Sequence, residues 1–146
     1  MDDIQFKKIG NQDLKLIETF LSVAGSSLNS FRYFNKRPLT VISNHIATVL
    51  LIKDNVPIGY GHLDKDSESV WLGVAISELM KGRGYGKMLI EYLLKIAKEN
   101  KVNEVKLSVD RNNKDAIRLY GYFGFITTDN TNHNTQFMKL NLRYGE

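Results

Sequence analysis

The chain of 146 residues contains no cysteine, and this absence excludes several kinds of chemistry. Disulfides, a cysteine nucleophile and thiolate ligands for a metal or an iron–sulfur cluster are all impossible. Histidine occurs only three times, as His45, His62 and His133, and never twice within one helical turn. This spacing disfavours zinc, so we expect no metal site, and any covalent intermediate would need a different nucleophile.

Long apolar runs and a strong charge excess are also missing. The longest apolar run, residues 49–52, is far too short to span a bilayer, and the acidic start Met1-Asp2-Asp3 is unlike a signal peptide. Lys and Arg number 20 against 16 Asp and Glu, a net charge of +4, which fits an anionic ligand but is small for a nucleic-acid-binding module. We expect a cytoplasmic protein, monomeric or homodimeric, that binds neither membranes nor nucleic acid.

The hydrophobic pattern predicts one mixed α/β domain over residues 1–146 with a single central sheet. Residues 70–76 are apolar on both faces, which indicates a central strand. Residues 26–40 mix aromatic side chains with charges, and Pro38 interrupts any helix, so this segment allows no assignment. The predicted strands are an extended start at 4–9 and the segments 46–53, 58–63, 70–76, 105–109, 125–128 and 137–142, and the predicted helices are 14–24, 84–100 and 114–123.

A glycine-rich loop between the predicted central strand and the longest predicted helix is the most informative segment. Glycines let backbone N–H groups approach an anion, and a helix start adds unpaired donors. It is not a Walker loop, because Met88 follows where Ser or Thr is needed, and Leu89 replaces the third glycine of the dinucleotide fingerprint. A tight turn before a helix is the alternative interpretation, but three cations and no acid favour pyrophosphate binding. The loop reads Lys81-Gly82-Arg83-Gly84-Tyr85-Gly86-Lys87.

Two motifs stand out, and they read Lys81-x-x-Gly84-x-Gly86 and Asn113-x-x-Ala116-Ile117-x-Leu119-Tyr120-x-x-x-Gly124-Phe125. At this separation they resemble the GNAT N-acetyltransferase superfamily, most strongly over residues 58–128. The resemblance implies a splayed mixed sheet, flanked by helices, with acetyl-CoA as co-substrate in a V-shaped gap. It also implies that the strand segment Val74-Ala75-Ile76 pairs with pantetheine and that the N–H groups of residues 82–87 hold the pyrophosphate. Lys81 would take a position that the family usually fills with Gln or Arg. Asn113 would contact pantetheine or the acceptor.

The implied activity is direct transfer of an acetyl group to a primary amine in a ternary complex. Tyr120 matches the family's usual general acid, although it also fits a core position on its helix. The base stays open between His62, Glu68 and ordered water. Ser108 and Val70 stand where ribosomal-protein and histone acetyltransferases, respectively, have Glu, which weakens both of those substrate readings.

The acceptor is expected at the segment that follows the first helix. Phe31, Arg32 and Tyr33, with further cations after them, suit a small amine that carries negative charge, such as a nucleotide-linked amino sugar. The alternative is that the aromatic side chains of this segment are core and its charges are solvated. Other functions kept open are a protein or peptide N-acetyltransferase, a non-catalytic acyl-CoA-binding regulatory domain and, least favoured by the charge, a small nucleic-acid-binding module.

Overall fold

The computed structural model describes residues 3–129 and 131–142, and expectations that touch residues 1, 2, 130 or 143–146 lie outside the described residues. Seven strands and three helices follow one another along this part of the chain, with four short 3-10 turns among them. The strands are β1 (Ile4–Lys8), β2 (His45–Lys53), β3 (Val56–Lys65), β4 (Val70–Ile76), β5 (Glu104–Asp110), β6 (Ile126–Thr127) and β7 (Thr135–Asn141), and the helices are α1 (Leu14–Val23), α2 (Tyr85–Glu99) and α3 (Lys114–Tyr122).

The strands form one sheet in the order β1-β2-β3-β4-β5-β7-β6. Neighbouring strands are antiparallel except β4 and β5, which run parallel. This one parallel pair is in register only at Val70 with Val105 and at Trp71 with Lys106. Beyond these residues the two strands diverge, so the sheet splits into two arms with a gap between them. Strand β4 borders the gap in the middle of the sheet, as its apolar pattern predicted.

Each face of the sheet has its own helical cover, because side chains alternate between the faces along a strand. On one face Leu63 and Leu72 pack against Leu93 of α2 in a core that α3 also joins. A side chain at Gly61 would come within 2.7 Å of Leu93, so this glycine lets α2 lie close to β3. On the other face α1 and the segment that follows it pack around the fully buried Tyr60.

The fold class is the one that the sequence predicted, and most predicted boundaries are correct to within about two residues. The segment without an assignment, residues 26–40, contains the 3-10 turn Gly25–Asn29 and the beginning of a second one, Leu39–Asn44. Its shape depends on distant partners, since Ser27 Oγ donates a hydrogen bond to the carbonyl of Ile76. Local sequence patterns do not contain that information.

Candidate active site

The gap between the two arms of the sheet holds a cavity of about 960 Å³. Backbone polar groups alternate in direction along an antiparallel strand. Ser77 donates its N–H to Ile58 at the end of β3, so Val74 and Ile76 direct their N–H and C=O groups the other way, into the gap. The carbonyl of Ile76 accepts the bond from Ser27. This leaves the Ile76 N–H and both polar groups of Val74 facing the cavity like the open edge of a sheet.

Ala75 lies in the same stretch of β4 but is oriented differently. Its backbone faces β3, where it is paired with Tyr60, and its side chain packs in the core beneath α1. Ala75 still borders the cavity. Ala75 could therefore contact a molecule in the gap by van der Waals packing, but not by backbone hydrogen bonds of the kind that pair strands.

The glycine-rich loop lies at one end of this open edge. Gly82 and Gly84 adopt φ angles of 77° and 87°, a left-handed conformation that side chains rarely tolerate. Gly84 immediately precedes α2, whose first backbone N–H groups have no partner within the helix. Lys81, Gly82, Tyr85 and Gly86 line the cavity. The loop therefore presents a cation and unpaired donors to any anion in the gap.

Three predicted cofactor contacts of the loop do not line the cavity: Arg83, Gly84 and Lys87. All three are exposed. The Lys87 ammonium lies 4.6 Å from the ring centroid of the exposed Tyr122, and its hydrogen bond to Tyr122 raises the pKa of Lys87. Lys87 and Arg83 thus stand outside the cavity, and only the part of a ligand that extends beyond the gap would meet them.

Helix α3 brings Asn113 and Tyr120 to the cavity. The Asn113 side chain accepts a hydrogen bond of 3.4 Å from the Ala116 N–H and so caps the helix, which leaves its amide Nδ2 for other partners. The ring of Tyr120 packs 5.8 Å from that of Phe125, and burial raises the pKa of Tyr120 to about 12. Tyr120 thus has both the core position and the cavity position that its sequence motif allowed.

The hydroxyl of Tyr120 opens to the cavity. This hydroxyl has no hydrogen-bond partner among the described residues. Every fully buried side-chain nitrogen or oxygen in that part of the chain has a partner, so the Tyr120 oxygen is not fully buried. The phenol oxygen is therefore accessible from the gap. With its raised pKa it stays protonated at physiological pH, and it is placed to donate a proton.

The predicted acceptor residues Phe31, Arg32 and Tyr33 line the same cavity, on the face of the sheet that α1 covers. Arg32 makes a bidentate pair with Asp110, with Nη2 to Oδ1 at 2.8 Å and Nη1 to Oδ2 at 3.2 Å. Asp110 ends β5, so this pair connects the segment above one arm of the sheet to the other arm. This ion pair compensates part of the Arg32 charge, and the expectation that Arg32 attracts an anionic acceptor stays a prediction.

Tyr33 belongs to a hydrogen-bond network with Asp64, His45 and Thr48. Its hydroxyl donates to Asp64 Oδ2 at 2.6 Å and lies 2.8 Å from His45 Nε2. Since the phenol has one proton, His45 Nε2–H must be the donor to Tyr33, and His45 Nδ1 then accepts from Thr48 Oγ1 at 2.8 Å. Burial raises the pKa of Tyr33 and lowers that of His45.

Of the two side chains predicted as possible bases, the structure brings only His62 to the cavity. His62 is 3% exposed, and its burial lowers its pKa well below the ordinary value. Glu68 is exposed in the turn between β3 and β4, where its N–H donates to Asp66 Oδ1. It does not line the cavity, so its position gives no support to a catalytic role.

Sequence reasoning did not single out Asp64, Trp71 or Asp110, which all line the cavity. Asp64 was missed because the predicted strand ended at residue 63, whereas β3 continues to Lys65 and so places Asp64 on the same face as His62. Asp110 had no usable signal, since its partner Arg32 is 78 residues away in the sequence. The described lining is balanced in charge, with four carboxylates and four Lys or Arg side chains: Asp64, Asp66, Asp110, Asp115, Arg32, Arg37, Lys81 and Arg118.

Within residues 3–129 and 131–142, no group of three or more His, Cys, Asp or Glu side chains could hold a metal ion. In the same ranges no helix has the length and apolar composition needed to cross a bilayer.

Solved structures with the same architecture include acetyltransferases, two of them with bound acetyl-CoA or coenzyme A. The yncA protein of Salmonella typhimurium, solved with its cofactor acetyl-CoA, is 16% identical with a TM-score of 0.75, covering 96% of this chain and 94% of that one. The paia N-acetyltransferase of Thermoplasma acidophilum, in complex with coenzyme A, is 19% identical with a TM-score of 0.74, covering 95% and 99%. A GNAT-family acetyltransferase of Streptococcus pneumoniae is 14% identical with a TM-score of 0.77, covering 97% and 100%.

At these identities the likeness establishes the fold, and no curated protein sequence matches the chain significantly. The family assignment comes from a sequence model. The model of the acetyltransferase (GNAT) family matches residues 16–125, which include the open edge of β4, the glycine-rich loop and Tyr120. This match covers well over half of the chain, so the chain belongs to the GNAT acetyltransferase family, whose members transfer acyl groups from acetyl-CoA.

Proposed function

We propose that the protein transfers an acetyl group from acetyl-CoA directly to the primary amine of a small molecule, with both substrates bound at once. The observation that carries this proposal is the divided cleft. One half offers the free backbone edge of Val74, the glycine-rich loop and the Tyr120 hydroxyl. The other half is lined by side chains beneath the segment that holds Tyr33. Two substrates of different chemistry can therefore occupy one continuous cavity.

The cofactor half fits the parts of acetyl-CoA in sequence. Val74 has a free N–H and C=O for the amide groups of pantetheine, which would lie in the gap as an added strand. The N–H groups of residues 82–87 and the Lys81 side chain would hold the pyrophosphate. The Asn113 amide nitrogen is a further donor to pantetheine. Lys87 and Arg83, outside the cavity, would meet phosphates of the exposed adenosine end.

Acetyl-CoA supplies an activated thioester. Attack by the amine nitrogen forms a C–N bond and breaks the C–S bond, and the Ile76 N–H is our choice of donor to the carbonyl oxygen as its charge develops. The departing thiolate takes the proton of the Tyr120 hydroxyl. No cysteine exists in the chain to form an acyl-enzyme, so proximity of the two substrates provides much of the rate enhancement.

The amine must lose a proton, and the geometry favours water as the first carrier. Glu68 does not line the cavity, and His62 is buried with a strongly lowered pKa. The cavity is wide enough for ordered water between the acceptor and bulk solvent. Of the three candidate bases we therefore favour water, with Tyr120 regaining its proton by the same route.

Two features of the acceptor half favour a small acceptor over a protein. The segment with Phe31 and Tyr33 covers this half, and the Arg32–Asp110 pair ties that segment to the end of β5. This arrangement leaves less room for a protein loop than for a small molecule. The balanced lining charge also gives no preference for a negatively charged amino sugar over other amines.

The test is an amine panel assayed for release of free CoA from acetyl-CoA, with the products identified by mass spectrometry. The panel contains amino acids, their amides, simple alkyl and aryl amines, amino sugars and short peptides. An N-acetylated small amine supports the proposal. Turnover of peptides alone would indicate a protein or peptide N-acetyltransferase, and tight binding of acetyl-CoA without transfer to any amine would indicate a regulatory domain. Either of these two results would overturn the proposal.

A further inference from the structure

The phenol oxygen of Tyr60 lies 2.7 Å from Nδ1 of His62. Both residues belong to β3 and are two positions apart, so they project from the same face of the sheet. Tyr60 is fully buried, with its ring against those of Phe20, Phe31 and Phe34. Among the described residues its hydroxyl has no hydrogen-bond partner besides His62.

This isolation decides which atom carries the proton. If Nδ1 of His62 carried it, the proton of Tyr60 would be buried without an acceptor, which is costly. If Tyr60 donates its proton to Nδ1, both groups are satisfied. The neutral imidazole then carries its own proton on Nε2.

The surroundings of His62 keep the imidazole neutral. Burial is the main cause of its lowered pKa, and the charges of His45 and Arg37 act in the same direction. The groups packed against its ring are Tyr60 on the same strand, Tyr33 from the covering segment at 4.3 Å and His45 on β2 at 4.6 Å. The nearby carboxylate of Asp64 accepts its hydrogen bond from Tyr33. No carboxylate of the described residues bonds to His62 to stabilise a charge.

The Nε2 edge of the ring reaches the cavity over Gly73 of β4. A Cβ atom at Gly73 would lie only 2.5 Å from Nε2, so the imidazole occupies the space that a side chain would fill. His62 lines the cavity. Nε2 has no hydrogen-bond partner among the described residues. Every fully buried polar side-chain atom in that part of the chain has a partner, so Nε2 is not fully buried. It is therefore open to the gap, beside Val74 and below Tyr33.

We propose that His62 presents a fixed Nε2–H donor to the acceptor half of the cleft, where it binds a carbonyl or carboxylate oxygen adjacent to the acceptor's amine. This proposal rests on the proposed N-acetyl transfer. An oxygen in that position is characteristic of amino acids and their amides. His62 is then a recognition residue and not the base, because its outward nitrogen has a proton and no free lone pair.

The position of the proton can be measured without turnover, by a two-bond ¹H–¹⁵N correlation spectrum of the protein. We expect a single Nε2–H tautomer of His62 from pH 6 to 8. The Tyr60→Phe variant should populate the Nδ1–H tautomer, because the donor to Nδ1 is gone. A wild-type Nδ1–H tautomer, or protonation of His62 within this range, would overturn the proposal whether or not the protein acetylates amines.

The ligand class is tested with three related amines. Phenylalanine carries a carboxylate beside its amine, phenylalaninamide carries an amide carbonyl there, and phenethylamine carries neither group. In the presence of CoA the His62 ¹⁵N resonances should move with one or both of the oxygen-bearing amines, and the one that moves them identifies the oxygen recognised. Phenethylamine should leave them in place. Resonances that none of the three amines moves, or that phenethylamine moves equally, would overturn the assignment.

Two substitutions distinguish a donor from a base. His62→Gln retains an N–H group near the position of Nε2, whereas His62→Leu retains the bulk and no donor. For the oxygen-bearing amine we expect kcat/KM to fall about tenfold more in His62→Leu than in His62→Gln, mainly through KM. Equal losses in the two variants, carried by kcat, would indicate a base and contradict the proposal.

Discussion

The two halves of the cleft are built by different means. The cofactor half uses mostly backbone groups from two short stretches, the end of β4 with its glycine-rich loop and the start of α3. The acceptor half uses side chains from segments far apart in the sequence, and they bond mainly to one another. Tyr33, for example, connects Asp64 and His45, and Arg32 reaches across to Asp110.

This difference fits the two tasks. A substrate that never changes can be held by backbone N–H groups, whose positions the fold fixes regardless of most side chains. An acceptor is distinguished by its own chemistry, which requires side-chain donors in fixed orientations, and the network around Tyr33 and His62 provides them. Substitutions in the cofactor half should therefore affect acetyl-CoA or the chemical step, and those in the acceptor half should affect the amine.

Tyr120→Phe should have the largest effect. Removing the proton donor to the thiolate should lower kcat by about 10²–10⁴, with little change in the KM for acetyl-CoA, because the ring and its packing on Phe125 remain. Tyr92→Phe is the matched control, since Tyr92 is stacked on Phe6 at 4.2 Å and does not line the cavity. A kcat within twofold of wild type for Tyr120→Phe would remove the general-acid role.

Gly73→Ala tests the acceptor half. The new Cβ would lie 2.5 Å from His62 Nε2, so the ring must move, and a displacement of this size at a substrate contact can cost about 10²-fold. We expect kcat/KM for the amine to fall by about 10- to 100-fold, with a much smaller change for acetyl-CoA. Gly121→Ala on α3, where a Cβ has no atom within 4 Å, should retain activity. If both variants behave alike, the close approach at Gly73 has no functional meaning.

Asn113→Asp separates the two functions of Asn113 in the cofactor half. The carboxylate keeps the helix cap, but it lacks the amide donor and repels the pyrophosphate. The KM for acetyl-CoA should rise about tenfold, the loss of roughly one hydrogen bond, while the melting temperature stays unchanged or rises. Asn113→Ala should instead lower stability by about 0.5–2 kcal/mol. An unchanged KM in Asn113→Asp would mean that the amide serves only as a cap.

The last effect concerns pH and two histidines with buried side chains, His62 at the cavity and His45 beside it at a ring distance of 4.6 Å. The pKa values of His45 and His62 are lowered in the folded state, so below about pH 6.5 the unfolded chain binds more protons. Stability should fall from pH 7 to pH 5.5, by up to about 1.4 kcal/mol per pH unit for each histidine that stays neutral. Urea unfolding at the two pH values measures this, and His62→Gln should reduce the slope. A flat or opposite dependence would contradict the burial of neutral imidazoles.

The local conformation of the cofactor half could be predicted from the sequence because its determinants are local, and which of its residues bind acetyl-CoA stays a prediction. Positive φ at Gly82 and Gly84 and the helix start that follows can be recognised within a few residues, and so can Asn113 as a cap. The acceptor half depends on register and tertiary contact. No sequence pattern near Arg32 indicates that it pairs with Asp110. The tautomer of His62 depends on the Tyr60 hydroxyl having no other hydrogen-bond acceptor, which only the tertiary structure shows. Glu68 shows the same limit, because the sequence does not reveal that the turn between β3 and β4 keeps it out of the cavity lining.

The central claim is that both halves of the cleft are filled when the acetyl group moves. Initial velocities measured over a grid of acetyl-CoA and amine concentrations test it most directly, with any amine that the panel identifies. Double-reciprocal plots should give lines that intersect, as a ternary complex requires. Parallel lines would show that CoA leaves before the amine binds, through an acyl-enzyme, and would contradict direct transfer.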